Sequence, residues 1–209
     1  MPAIHFENSI FINCPFDKDY EEILQAMLFC IVYLGFQPRI ASERSDSGEQ
    51  RLAKVKALIE ASKYSIHDLS RCEATQPGEL FRLNMPFELG IDYGCRAYFG
   101  DGRNEKRILI LEEKPFRYRA AISDLAGFDI QAHENDFSKA IRKVRNWIVS
   151  ETGTDAPGAN RIEGHYYDFQ EWHYERQLAA GFSEADIQDY PTSELLTSMQ
   201  DWIAAGKPI

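Results

Sequence analysis

The chain has 209 residues, a formal net charge of −10 and 44% apolar residues, the make-up of a globular protein with one full domain and an appendage. The acidic balance argues against a nucleic-acid partner, since neutralising phosphates needs a basic surface. The longest apolar run, "MLFCIVYLGF", is about half of what a membrane span needs. The opening "MPAIHFENSIFINCPF" has no basic leader before an apolar core, so a cytoplasmic protein with no membrane partner is expected.

Strand and helix signals alternate over residues 1–150. "SIFIN" (Ser9–Asn13) reads as a first strand and "CPFDKD" as the turn after it. Tyr20, Ile23, Leu24, Met27, Leu28, Ile31 and Leu34 recur at helical spacing until Gly35 stops the helix. "FQPRIAS" is the second strand; Pro38 cannot donate to a ladder and pushes it to a sheet edge. The polar loop "ERSDSGEQ" leads to a helix bearing Leu52, Val55, Leu58 and Ile59.

"YSIHDLS" (Tyr64–Ser70) is the third strand, and the loop "RCEATQPGELFRLN" precedes a helix that contains Glu88 and stops around "YFGDG". "RILILE" (Arg107–Glu112) is apolar enough for a strand covered on both faces. "FRYRAAISDLAG" is a short helix, "FDIQAH" a weak, polar fifth strand. Phe137, Ala140, Ile141, Val144, Trp147 and Ile148 form the stripe of a last helix, with Trp147 in the core. Five strands separated by helices predict an α/β fold, a parallel sheet covered on both faces. The weak second and fifth strands suit the edges of the flavodoxin-like order 2-1-3-4-5.

Residues 1–150 hold 22 acidic and 20 basic groups, and 151–209 hold 11 and 3. That shift, with the turn formers of "ETGTDAPGAN", places a boundary near residue 150. The rest is an acidic, aromatic helical extension: "YYDFQEWHYERQLAAG", then "SEADIQDY" with an N-cap serine, then "TSELLTSMQDWIAAGKP" with stop signals at Gly206 and Pro208. Leu195, Leu196, Met199, Trp202 and Ile203 give the last helix one apolar face. It is expected to cap the sheet domain or to dock on a second subunit.

Cys14, Cys30, Cys72 and Cys95 lack C-x-x-C spacing and the five histidines lack ligand spacing, so neither a metal site nor a disulfide framework is expected. Cys14, just after a strand, could be reactive or simply a small buried thiol. There is no G-x-G-x-x-G after the first strand, no G-x-x-x-x-G-K-[ST] and no G-x-S-x-G, which removes most P-loop, dehydrogenase and serine-hydrolase readings.

In such sheets ligands bind beyond the carboxyl ends of the strands, near the switch between strands one and three. That rule selects Asn13, Phe16 and Asp17 after strand one, Ser42 and Glu43 after strand two, and Asp68, Ser70 and Arg71 after strand three. Glu88 follows on the next helix, four residues from Asn84 and on its face. Asn84 suits the N-cap of a helix with Pro86 in its first turn.

"IFINCPFD", "IHDLS" and "NMPFELG" resemble the TIR domains of bacteria and the related nucleoside deoxyribosyltransferase-like proteins, over roughly residues 8–150. In that superfamily the loop after the first strand faces a nucleotide and the third strand ends near an acidic or hydroxyl residue. A glutamate of an E-L-G motif on the next helix is the catalytic group. The resemblance implies that Glu88 is catalytic and that Asp68 is the acid ending strand three. It further implies NAD as a substrate rather than a cofactor, self-assembly into a homo-oligomer, and a role in bacterial anti-phage or stress signalling. The loop from Arg71 to Asn84 is longer and more acidic than the family pattern, and residues 151–209 have no counterpart in it.

The chemistry accommodates a lone glutamate. Nicotinamide leaves NAD as a neutral base, so one carboxylate that stabilises or attacks the oxocarbenium-like sugar is enough. Poor hydration would strengthen its field. An ordinary nucleoside loses an anionic base and calls for a second acid, for which Asp68 and Glu79 are the candidates. Substrates are therefore NAD first, a nucleoside compound second. The reading from a different class is a non-enzymatic module that binds a nucleotide signal or a partner TIR surface.

Structural roles compete at each position. Glu88 could be a solvated or dipole-favoured helix residue; Asn13 and Asp17 could cap the first helix. Asp68 could cap its loop, Phe16 could fold onto the core rather than stack on a ligand ring, and Arg71 could form a surface salt bridge rather than meet a phosphate.

Overall fold

The computed structural model describes residues 5–207 apart from 44–45, 72–73, 75–76 and 79–81. Cys72, Glu79 and Pro208 lie outside the described residues. Strands β1 (Ser9–Asn13), β2 (Gln37–Arg39), β3 (Tyr64–Asp68), β4 (Arg107–Glu112) and β5 (Gln131–Ala132) form one sheet in the order β2-β1-β3-β4-β5. Every pairing is parallel, with Ile12 opposite Ile66 and Ile66 opposite Leu109. The two strands that the sequence marks as weak are the edges: β2 carries Pro38, and β5 has only two residues. This is the expected flavodoxin-like α/β arrangement.

Period-two alternation sorts β1 between two cores. Ile10 and Ile12 join a large cluster with helices α1 (Glu21–Tyr33) and α5 (Phe137–Thr152), while Phe11 points to the other face. There it meets Val55, Leu58 and Ile59 of α2 (Arg51–Glu60) and Cys95 of α3 (Asn84–Tyr98). Leu69, Met85, Leu89 and Ile110 form a third cluster beneath the first turns of α3. The segment 116–128 splits into the short helix α4 (Tyr118–Ala121) and a 3-10 turn, Ser123–Gly127.

Helix α1 is apolar all round, with Ala26, Met27, Leu28, Phe29, Cys30 and Ile31 each fully buried. Such a helix needs cover on every side. The sheet and α5 cover one side. The other is covered by α6 (Ala159–Ala179) and α8 (Thr192–Ala204), which follow the left-handed Gly153 (φ 68°) at the end of α5. The Phe29 ring lies 5.3 Å from Tyr166, 5.4 Å from Phe169 and 5.7 Å from Trp202, centroid to centroid. Burying one such phenylalanine contributes about 1.5–3 kcal/mol. The C-terminal helices thus dock on their own chain and complete its main core. Between them α7 (Glu184–Gln188) begins at Ser183 with a full capping box to Asp186.

Asn84 does not cap α3. It is the first helical residue, and the cap position falls on Leu83 with no side-chain bond. The reason is Pro86, which has no N–H to offer a cap. The next free donor, the Phe87 N–H, already bonds the Leu83 carbonyl at 3.1 Å.

Candidate active site

Strands β1, β3 and β4 deliver Asn13, Asp68 and Glu112 to one edge of the sheet, and all three are buried. The turns beyond that edge hold non-glycine residues in left-handed backbone: Arg71 (φ 72°), Phe116 (65°), Glu134 (56°) and Asn135 (56°). Backbone strain of this kind costs about 1–3 kcal/mol per residue and collects where surrounding structure enforces it.

Asp68 is fully buried and fully engaged. Its Oδ1 accepts from the Ser70 N–H at 2.8 Å, while Oδ2 accepts from the Tyr20 hydroxyl at 2.5 Å and lies 3.0 Å from His133 Nε2. His133 Nδ1 accepts from the Asn135 N–H at 3.1 Å, which leaves Nε2 to carry the donating proton. Burial opposes ionisation of Asp68, but the bonds from His133, Ser70 and Tyr20 outweigh it and hold the carboxyl below its ordinary value of 3.8.

Glu88 lies on the inner face of the first turns of α3, only 6% exposed. Among the described residues its ion pair is a long one: Arg51 Nη2 is 3.6 Å away, on a side chain that is 58% exposed. Burial pushes the Glu88 carboxyl above its ordinary 4.5, and the charge of Arg51 does not reverse this. Glu88 is therefore neither a solvated surface acid nor a well-paired buried one.

Behind it runs a chain of fixed polar groups. Lys106 Nζ, fully buried, donates to the Ile59 carbonyl at 2.8 Å and to the Ser62 carbonyl, and sits 3.2 Å from Asp92 Oδ1. Asp92 Oδ2 lies 2.9 Å from His67 Nε2, and His67 Nδ1 is 3.0 Å from Asn13 Nδ2. Because the Asn13 amide donates to Nδ1, the His67 proton resides on Nε2 and points at Asp92. Asn13 Nδ2 also donates to the Met85 carbonyl at 2.9 Å, tying the end of β1 to the first turn of α3. Asp92 is held below 3.8: burial works against this, and the hydrogen bond from His67 and the charge of Lys106 prevail.

The remaining candidates separate. Asp17 makes no capping bond. Its Oδ1 is 3.4 Å from Arg71 Nη2 and its Oδ2 is 3.0 Å from Arg82 Nη1, while Arg71 Nη1 reaches Glu113 at 3.8 Å. Phe16 is 46% exposed and lines a groove of about 490 Å³, so it is not folded onto the core. Ser42 is exposed on the turn after β2 and takes no part in these bonds, and Asn84 is exposed although its helical neighbour Glu88 is buried. Cys14 is a buried free thiol; burial raises it well above its ordinary value, and the charges of Asp68, Asp17 and Glu88 push the same way. The charges of Asp68, Asp17 and Glu88 thus all act on the Cys14 thiol just beyond the end of β1.

Comparison with family models, with curated proteins and with solved structures finds no match to this chain. The geometry carries the site alone.

Several of its members carry a weak sequence signal. His67 and Asp68 end a strand otherwise buried throughout, so both had to be partnered. Asp92 is four residues beyond Glu88 on the same helix, and Lys106 abuts an apolar strand. Tyr20 and His133, by contrast, come from distant segments and meet Asp68 only through the fold.

Proposed function

We propose that this chain is a TIR-like N-glycosidase that cleaves the nicotinamide–ribose bond of NAD. The observation that carries the proposal is Glu88, a carboxylate at the carboxyl edge of a flavodoxin-like sheet, nearly dry and held, among the described residues, by one long ion pair. As the bond from the anomeric carbon to nicotinamide lengthens, the bonding pair leaves with the neutral base and positive charge grows on the ribose. A poorly hydrated carboxylate stabilises that charge strongly, or attacks the carbon and yields it to water, to an internal nucleophile or to another acceptor. The acid limb of the reaction follows from the raised Glu88 carboxyl, since only the ionised form can act.

Asp68 supports NAD over an ordinary nucleoside. An anionic leaving base needs a proton donor, yet Asp68 is held ionised by three donors. Glu79, the other acid considered for that step, lies outside the described residues. By the resemblance of its motifs, the enzyme belongs to bacterial anti-phage or stress signalling, depleting NAD or making a nucleotide messenger, and works as a homo-oligomer. Incubating concentrated protein with NAD and with nucleosides, followed by chromatography, tests the proposal. Release of nicotinamide is expected. Ligand binding with no turnover of either class would replace it with a nucleotide-binding module.

A further inference from the structure

The groove beside Phe16 lies outside the chemistry of Glu88. One wall is the β1–α1 turn and the start of α1, with Phe16, Asp17 and Glu21; the other is the α7–α8 corner, with Gln188, Asp189 and Thr192. Its volume of about 490 Å³ falls in the range of small-molecule sites. The exposed Phe16 ring offers a stacking surface for a heterocycle. Glu21 and Asp189 are acceptors only when ionised. They suit ribose hydroxyls and an exocyclic amine, and together with Asp17 they outnumber the one cation of the described lining, Lys18, so the groove disfavours phosphate.

Cations for phosphate stand next to the groove. Arg71 and Arg82 converge on Asp17, itself a groove residue, with side chains 27% and 48% exposed. Each guanidinium has five donors, and their partners among the described residues, one shared carboxylate and a long contact from Arg71 to Glu113, leave donors for a bidentate phosphate. Arg82 precedes α3 by two residues, and α3 carries Glu88. The arginine pair thus joins the groove, through Asp17, to the start of the helix that carries Glu88.

We infer that the groove is the adenosine subsite of a dinucleotide site, with Arg71 and Arg82 holding the diphosphate that joins adenosine to the ribose at Glu88. This rests on the NAD reading above and deepens it: the substrate bridges the sheet domain and the C-terminal helices, which supply one wall. The family resemblance has no counterpart for those helices, so this wall is a property of the present chain.

The test pairs NAD with nicotinamide mononucleotide, which has the same scissile bond but lacks the adenylate half. It is run on the wild type and on Ala185→Trp, which adds a large ring at an exposed position on the groove wall. Wild type should prefer NAD in kcat/KM by at least about tenfold, the worth of one base-stacking contact, and Ala185→Trp should erase that preference through KM for NAD alone. Equal cleavage of both substrates by wild type, or an unchanged preference in the variant, overturns the subsite while leaving the glycosidase intact. If neither substrate is cleaved, calorimetry with ADP-ribose decides. Binding to wild type, weakened about tenfold or more in Ala185→Trp and in Arg82→Ala, supports the subsite without the catalysis. No binding, or binding indifferent to both substitutions, overturns it. Matched circular dichroism spectra establish that the variants fold.

Discussion

Asp68 and Glu88 are buried carboxylates at the same edge of one sheet, and their surroundings treat them in opposite ways. Asp68 accepts from three donors that fix both of its oxygens, and its ionised form is favoured. Glu88 is nearly as dry, yet among the described residues its ion-pair partner is a half-exposed arginine at 3.6 Å, and its ionised form is disfavoured. A satisfied buried charge stiffens the fold, whereas an under-satisfied one retains free energy that a developing positive charge can draw on.

The comparison breaks most visibly if Asp68 is truncated. Asp68→Ala strands the Tyr20 hydroxyl, the His133 proton and the Ser70 N–H in the interior, and should cost about 3–5 kcal/mol in urea unfolding. A cost under about 1 kcal/mol would mean that the network is ornamental. Lys106→Met keeps the volume but leaves Asp92 with one partner fewer and uncovers two buried carbonyls. We expect a loss of about 3 kcal/mol by the same measurement. A change near zero would show that water replaces the ammonium.

The smallest stability effect belongs to Arg51→Ala, because the Arg51 side chain is 58% exposed and its pair is solvent-screened: at most about 1 kcal/mol. Its activity signature is sharper. Arg51 is the strongest influence lowering the Glu88 carboxyl, so removing it should move the acid limb of nicotinamide release to higher pH. A limb that does not move would detach Arg51 from the titration.

Stability itself should show the two signs. Asp68 and Asp92 sit below their ordinary 3.8, so the stability they contribute is present above that pH and is lost as pH falls through their folded values. Glu88 sits above 4.5. The native state keeps its proton longer than the unfolded chain does, so its contribution declines as pH rises through that window and then levels off.

Much of this was legible in the residues. Pro38 placed β2 at an edge, and the unbroken run of "RILILE" placed β4 inside the sheet. Glu88 declared itself by its apolar neighbours. The ten-residue run "MLFCIVYLGF" also carried a message, since a helix apolar on all sides demands a second layer of helices. The partners of Asp68 were not legible, because Tyr20 and His133 lie 48 and 65 residues away and only the sheet order unites them. Nor was the cap of α3, where the missing N–H of Pro86 decided against Asn84.

Glu88→Gln tests the central claim most directly, assayed for nicotinamide release from NAD beside a thermal melt. Exchanging a disfavoured buried charge for a neutral isostere should leave the melting temperature unchanged or higher, while turnover falls about 10³-fold, as when one preorganised charge-stabilising group is removed. A folded Glu88→Gln protein that releases nicotinamide at the wild-type rate would contradict the account.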